Sequence, residues 1–287
     1  MSDKVKIRLQ GHEKFILREG WLNKGLNIVP SCPDAFLRKD SPDMFGIGSN
    51  MVKSLRYWMK ALGLISEKPQ TGAVLTDFGK LVMKYDEYIE KRETLWLLHS
   101  YIAKNIAEAT TWYMFFNRCD VDGLDKDQIE SVILREIKSY SGDATFSEKS
   151  VGNDIDVLLN MYSKKKDDSD PEEKNVSPFA QLELVKCHDG KYIKNHPNKK
   201  SISEYIVLYE IAQIAEGRSN ISIEEVIFGE KGLSKIYNIT PVLANDMFDK
   251  LDALGYLRVD RTAGLDMIYF PDTLKLDRIV ELIYRNN

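Results

Sequence analysis

Residues 44–84 constrain this chain more than any other stretch, because they pass from helical to strand periodicity and back without a break. From Met51 the apolar residues fall at Met51, Leu55, Trp58, Met59 and Leu62, which at about 100° per residue share one helical face. Ser49 and Asn50 precede them and carry oxygens able to cap free N-terminal amides. Gly63 is the stop expected where a helix needs positive φ. Leu64 and Ile65 begin an extended segment, Lys68 to Gly72 supplies turn residues, and Ala73-Val74-Leu75 returns toward a helix capped by Thr76. Helix, ribbon and helix in this order predict the back half of a winged helix-turn-helix. Lys53, Arg56 and Lys60 fall opposite the apolar face, with Lys68 at the ribbon tip. The expected DNA-binding set is therefore Asn50, Lys53, Arg56, Lys60 and Lys68. Cations in such a stripe neutralise phosphates, and Asn50 or Arg56 suits a base edge.

The pattern returns near the C-terminus. Ala253-Leu254-Gly255-Tyr256-Leu257 echoes Ala61-Leu62-Gly63-Leu64-Ile65. Thr240 followed by Pro241 starts a helix to Leu254, ahead of a hairpin at 256–259 and 267–270 and a last helix at 274–284. The face opposite its core holds Asn245, Asp249 and Asp252, and two carboxylates do not favour a groove lined by phosphates. Arg258 and Arg261 on its wing are weaker electrostatic candidates. The expected fold is mainly α with small β wings: tandem winged-helix-turn-helix units joined by a helical middle region. The expected divisions are a DNA-binding domain at 1–90, helices at 91–163, a linker at 164–177 and a winged-helix-like domain at 178–287.

Between the two units, 90–107 reads as an amphipathic helix with Leu95, Leu98, Ile102 and Ile106 on one side, and 112–116 as aromatic core. The acidic run from Asp120 to Asp127 fails as a calcium loop, since its glycine would stand fourth rather than sixth. Asp125 and Gln128 instead fit a capping box for a helix to Tyr140, and Ser147 opens another. Residues 164–175, KKKDDSDPEEKN, contain no apolar side chain and read as an exposed connection. After it, 180–185 and 191–193 suggest a hairpin, 203–216 a helix ended by Gly217, and Ser222 a capping-box start. At the other end, Val5, Ile7 and Leu9 alternate with Lys4, Lys6 and Arg8 as in a strand, and a helix over 18–24 closes at Gly25.

Charge is distributed unevenly. Residues 1–60 hold eleven Lys and Arg against six Asp and Glu, a surplus of five, so the remainder carries −9 of an overall −4. A basic N-terminal part on an acidic body implies one localised phosphate-binding surface rather than a general polyanion binder. Cys32, Cys119 and Cys187 form neither a CxxC nor a disulfide framework, which points to a reducing cytoplasm. No apolar run approaches a membrane span, and the first residues lack the apolar core of a signal peptide.

Three clusters carry a family resemblance: Gly11-His12-Glu13-Lys14-Phe15; Arg18-Glu19-Gly20-Trp21-Leu22 with Lys24-Gly25; and Gly46-Ile47-Gly48-Ser49-Asn50-Met51-Val52. With Ser177-Pro178-Phe179 after the polar stretch, the chain resembles a bacterial domain-of-unknown-function family associated with DNA phosphorothioation. Ser49 is a departure, standing where relatives are expected to carry Lys. The resemblance implies a protein encoded with a cysteine desulfurase and a reductase-like sulfurtransferase. It also implies double-stranded DNA as a partner and, as in the Ssp-type single-strand systems, DNA nicking. The alternative is a non-catalytic winged-helix adaptor or transcriptional regulator.

A nickase of this kind needs carboxylates holding a divalent metal, Mg²⁺ or Mn²⁺, beside a base. The N-terminal motif offers His12, Glu13 and Glu19 as catalytic candidates, with Arg18 among them; the metal ligands are left unassigned. Ion pairing around a turn is the structural reading of the same charges. Asp189-Gly190-Lys191 has the Asp-x-Lys form of many nucleases, without a preceding Pro-Asp on a convincing strand. Gly46-x-Gly48 lacks the Gly-Lys-Ser/Thr of a phosphate loop. Cys32 is a possible sulfur acceptor with nothing nearby in sequence to lower its pKa.

Overall fold

A computed structural model describes residues 6–69, 71–142, 144–164, 176–264, 266–270 and 275–286. Its contacts divide the chain into two compact units, Met1–Lys194 and Asn195–Asn287. The fold is mainly helical with small antiparallel sheets. Among the described residues no helix is long and apolar enough to cross a membrane.

In the first unit, residues 6–9 join no sheet and Gln10 bends the chain at φ 55°. The amides of Arg8 and Gln10 instead donate to the side chains of Thr110 (2.9 Å) and Asp154 (2.8 Å). The expected N-terminal strand is thus a strap held by side chains; its residues 1–5 lie outside the described residues. Helix α1 (Trp21–Ile28) runs past Gly25, which lies against Met59, so this glycine serves close helix packing rather than a helix end. Helix α2 (Ser41–Phe45) precedes α3 (Ser49–Ala61). The cap of α3 is Gly48, without a side-chain bond; Ser49 and Asn50 are already helical, which removes them from the capping position expected of them. Strands β1 (Ile65–Lys68) and β2 (Gly72–Leu75) pair antiparallel with Lys68 opposite Gly72. Helix α4 (Asp77–Tyr85) is capped by Thr76 as expected, the hydroxyl accepting from the Gly79 amide at 2.9 Å.

Helices α5 (Arg92–Lys104), α6 (Thr110–Arg118), α7 (Lys126–Ser141) and α8 (Glu148–Ser163) complete the unit. α5 is enclosed rather than amphipathic: every residue from Leu95 to Ser100 is buried, and the helix stops before Ile106. The Asp125–Gln128 capping box of α7 is present on both sides. A strand unforeseen from sequence, β3 (Asp122–Leu124), joins β4 (Val185–His188) and β5 (Lys191–Lys194) in the order β3-β5-β4. This sheet ties 185–194 to the first unit, so the boundary between compact units falls after Lys194 and not within the polar stretch. Of that stretch, 165–175 lies outside the described residues. Pro178–Leu182 is a 3-10 turn, so the hairpin begins at Val185 rather than Ala180.

The second unit runs α9 (Glu204–Ala215), β6 (Asn220–Ser222), α10 (Ile223–Phe228), α11 (Leu233–Ile236), α12 (Pro241–Ala253), β7 (Arg258–Asp260), β8 (Met267–Tyr269) and α13 (Leu276–Arg285). β6 adds to the expected hairpin, giving the sheet order β6-β8-β7. Ser222 and Thr240 cap their helices as expected. α9 carries the core of this unit, packing against α12 and α13.

Candidate nucleic-acid interface

Helix α3 buries Val52, Ser54, Leu55, Tyr57, Trp58, Met59 and Ala61, which leaves Ser49, Asn50 and Lys53 exposed and Met51, Arg56 and Lys60 half-buried. Gly63, at φ 71°, turns the chain from this helix into the β1–β2 ribbon, and Lys68 stands exposed near its tip. All five residues expected to touch DNA are therefore on or beside one face. That face is not the plain cation stripe the spacing suggests. Arg56 forks onto Glu67 of β1, with Nε–Oε1 2.5 Å and Nη2–Oε2 3.0 Å. Lys60 lies 3.5 Å from Glu67 and 3.6 Å from Glu108. Lys53 donates to Asn50 Oδ1 at 3.3 Å. Burial would push the Glu67 carboxyl up, but its bonds to Arg56 and the nearby Lys60 charge outweigh that and hold it below the usual range. Helical spacing could not reveal Glu67, because it reaches α3 only through the fold of the ribbon.

A shallow cavity of about 580 Å³ adjoins this face between the 33–37 loop and the ribbon; Pro33, Leu37, Arg56, Glu67, Lys68 and Pro69 are among its lining residues. The loop is fixed there by the Ala73 amide donating to the Pro33 carbonyl at 2.8 Å. Cys32 Sγ donates to Asp34 Oδ1 at 3.2 Å, and that bond raises its pKa. The carboxylate disfavours a thiolate, so this cysteine is not an activated sulfur acceptor.

The three catalytic candidates occupy different surroundings. His12 is fully buried among Tyr57, Trp58 and Trp112, with ring centroids 5.9, 6.0 and 5.8 Å away. Its Nδ1 accepts from the Lys14 amide at 3.0 Å, which leaves the proton on Nε2, and Nε2 donates to Asp154 Oδ1 at 2.8 Å. Asp154, on α8, also accepts from the Gln10 amide at 2.8 Å and from the Thr111 hydroxyl at 2.7 Å. One buried carboxylate thus gathers the N-terminal strap, α6 and α8. Sequence reasoning missed it because Asp154 stands on the apolar side of its helix with no local motif around it. Glu13 and Glu19 are exposed, Glu13 in a left-handed turn. Arg18 lies over Phe15 and Trp21, 5.9 and 5.5 Å from their ring centroids, rather than in an ion pair with either glutamate. Asp189 and Gly190 both have positive φ and form the two-residue β4–β5 turn. Lys191 pairs with Asp125 at 2.8 Å, so Asp-x-Lys here is hairpin chemistry. Among the described residues, no three His, Cys, Asp or Glu side chains gather as a metal-ligand group.

Helix α12 of the second unit, which leads into the Ala253–Leu257 echo in the sequence, has different electrostatics. Arg261 reaches back from beyond β7 to Asp249 (2.6 Å) and Asn245 (2.9 Å), while Asp252 accepts from the Val259 amide at 3.1 Å. In one unit the helix carries the arginine and the ribbon the carboxylate; in the other the roles are exchanged.

The chain is a helical, ribbon-bearing protein in which the α3 face is polar and partly neutralised. The chain belongs to the family described as "Protein of unknown function (DUF4007)", whose model matches residues 9–284. It is similar in fold to two solved structures. One is described as "Magnesium ion-bound SspB crystal structure", at 22% identity and TM-score 0.84, covering 98% of this chain and 89% of that one. The other is described as "SspB crystal structure", at 23% identity and TM-score 0.83, covering 97% and 86%. No curated protein matches the sequence.

Proposed function

We propose that this chain is the DNA-binding component of a DNA phosphorothioation system, made of two winged-helix units of which the first holds double-stranded DNA. The observation that carries the reading is the exposed to half-buried stripe of Asn50, Lys53, Arg56 and Lys60 beside a ribbon with Lys68 near its tip. Folding of α3 does not require this stripe to be cationic. The likeness to SspB and the N-terminal motifs support the assignment to a sulfur-modification system, with a cysteine desulfurase and a reductase-like sulfurtransferase as partners. The second unit serves as a protein-facing adaptor: α12 presents Asp249 and Asp252, and its nearest arginine is folded back on it. The reading extends to nicking of the bound DNA, and a binding-only protein is the alternative.

The test is fluorescence anisotropy of a labelled duplex at several salt concentrations. Replacing Lys53, Arg56 and Lys60 with Gln should weaken binding and flatten the log–log salt dependence by up to roughly three units, about one for each phosphate that is no longer neutralised. Replacing Arg258 and Arg261 should leave the slope unchanged. A slope that survives the first substitution and collapses with the second would place the DNA on the other helix. Supercoiled plasmid incubated with Mg²⁺ or Mn²⁺ tests cleavage directly, and a nicked product would overturn the binding-only alternative.

A further inference from the structure

We infer that Glu67 sets how weakly this face holds DNA of arbitrary sequence, by occupying Arg56 and Lys60 until DNA displaces it. The inference rests on the DNA-binding reading of α3 and deepens it. A guanidinium fork matches a carboxylate and a phosphate equally well. In the free protein both arms of the Arg56 fork are taken by Glu67, and the same carboxylate stands 3.5 Å from Lys60. Lys60 is shared further with Glu108, which also accepts from Lys6. Of the cations on the face, Lys53 and Lys68 have no carboxylate partner among the described residues. A phosphate that recruits Arg56 therefore exchanges one anion for another and leaves Glu67 beside the DNA backbone as a like charge. That cost is the same for every sequence. Only an interaction that depends on sequence can offset it selectively, and Arg56 on the O6 and N7 edge of a guanine is such an interaction. Specificity is a difference of affinities, and a charge that penalises all sites alike while one site offsets it widens that difference.

The competing account is that Glu67 merely clamps the ribbon to α3. The two accounts give opposite signs. As a clamp, Glu67 should be needed for DNA binding, and Glu67→Gln should weaken it. As an occupant, its neutralisation frees Arg56 for phosphate. Affinity for a labelled random-sequence duplex near 0.1 M salt should then rise about tenfold, and the salt slope should steepen by about one. Glu67→Ser, which removes the carboxylate and its reach, should move both readouts the same way and serves if the glutamine variant folds poorly. The double variant Arg56→Gln with Lys60→Gln is measured alongside. If it weakens binding while both Glu67 variants leave affinity unchanged or lower it, the DNA face stands and the role given to Glu67 is overturned. If the double variant leaves binding unchanged, the DNA face itself is wrong and the inference falls with it. Tighter binding and a steeper slope in the Glu67 variants, with weaker binding in the double variant, is the result expected.

Discussion

Removing the Asp154 carboxylate tests whether the motif around His12 is held as described. Asp154 accepts three hydrogen bonds in the interior, from the Gln10 amide, His12 Nε2 and the Thr111 hydroxyl. In Asp154→Ala each donor loses its partner, and a buried unsatisfied donor costs about 1–3 kcal/mol. The three losses are not additive, because Thr111 can turn its hydroxyl elsewhere and the vacated space can take up water. A total of about 3–5 kcal/mol follows, below the sum of three such losses taken at their full cost. At about 2–4 °C per kcal/mol for a chain of this size, the melting transition of the first unit should fall by about 10 °C. Asp154→Asn should cost less, about 1–2 kcal/mol, since its oxygen can keep the bonds from Gln10 and His12 while Thr111 accepts from its amide. His12→Ala should resemble Asp154→Ala, because it leaves the carboxylate short of a donor and opens a hole among three aromatic rings. Differential scanning calorimetry is the assay, with the transition of the second unit as an internal reference. A shift below about 2 °C in Asp154→Ala would refute the network. So would a His12→Ala variant that melts like the wild type, since the imidazole would then be an exposed reagent and not a packed strut.

Gly79→Ala should destabilise by about 1–3 kcal/mol in urea titration, because the new Cβ would stand 2.1 Å from the Leu64 carbonyl that anchors Thr76; a gain in stability would mean that helix propensity outweighs this clash. Burial raises the Cys119 thiol to about 11, so the folded state keeps its proton after an unfolded thiol has lost it. Stability should therefore fall as pH rises from about 8.5 to about 11, and a flat pH profile there would contradict the burial. In native alkylation followed by mass spectrometry, exposed Cys187 should react first and Cys32 more slowly. Cys119 should react only with denaturant, and native labelling of Cys119 at the rate of Cys187 would sink this order. Arg261→Gln should cost under about 1 kcal/mol, since the pair with Asp249 is solvent-exposed; a larger loss in chemical denaturation would make it a structural clamp.

The features legible in the sequence were local ones. The turn from α3 into the ribbon, the Thr76, Ser222 and Thr240 caps and the Asp125–Gln128 box each depend on residues within a few positions of one another. Side-chain period and capping chemistry act over that range, so the string of residues carries them. The stripe from Lys53 to Lys60 was legible for the same reason. Packing of the folded chain settled which distant residues met these elements. β3 joined a hairpin some sixty residues later and drew 185–194 into the first unit. Asp154 found His12 across 142 positions, turning a motif that reads as reactive into a buried strut. Glu67 and Glu108 reached Lys60 from a ribbon and from the loop before α6, neutralising a face that spacing alone presents as cationic. Such pairings depend on how elements pack, and a carboxylate remote in sequence has no period by which to announce its partner.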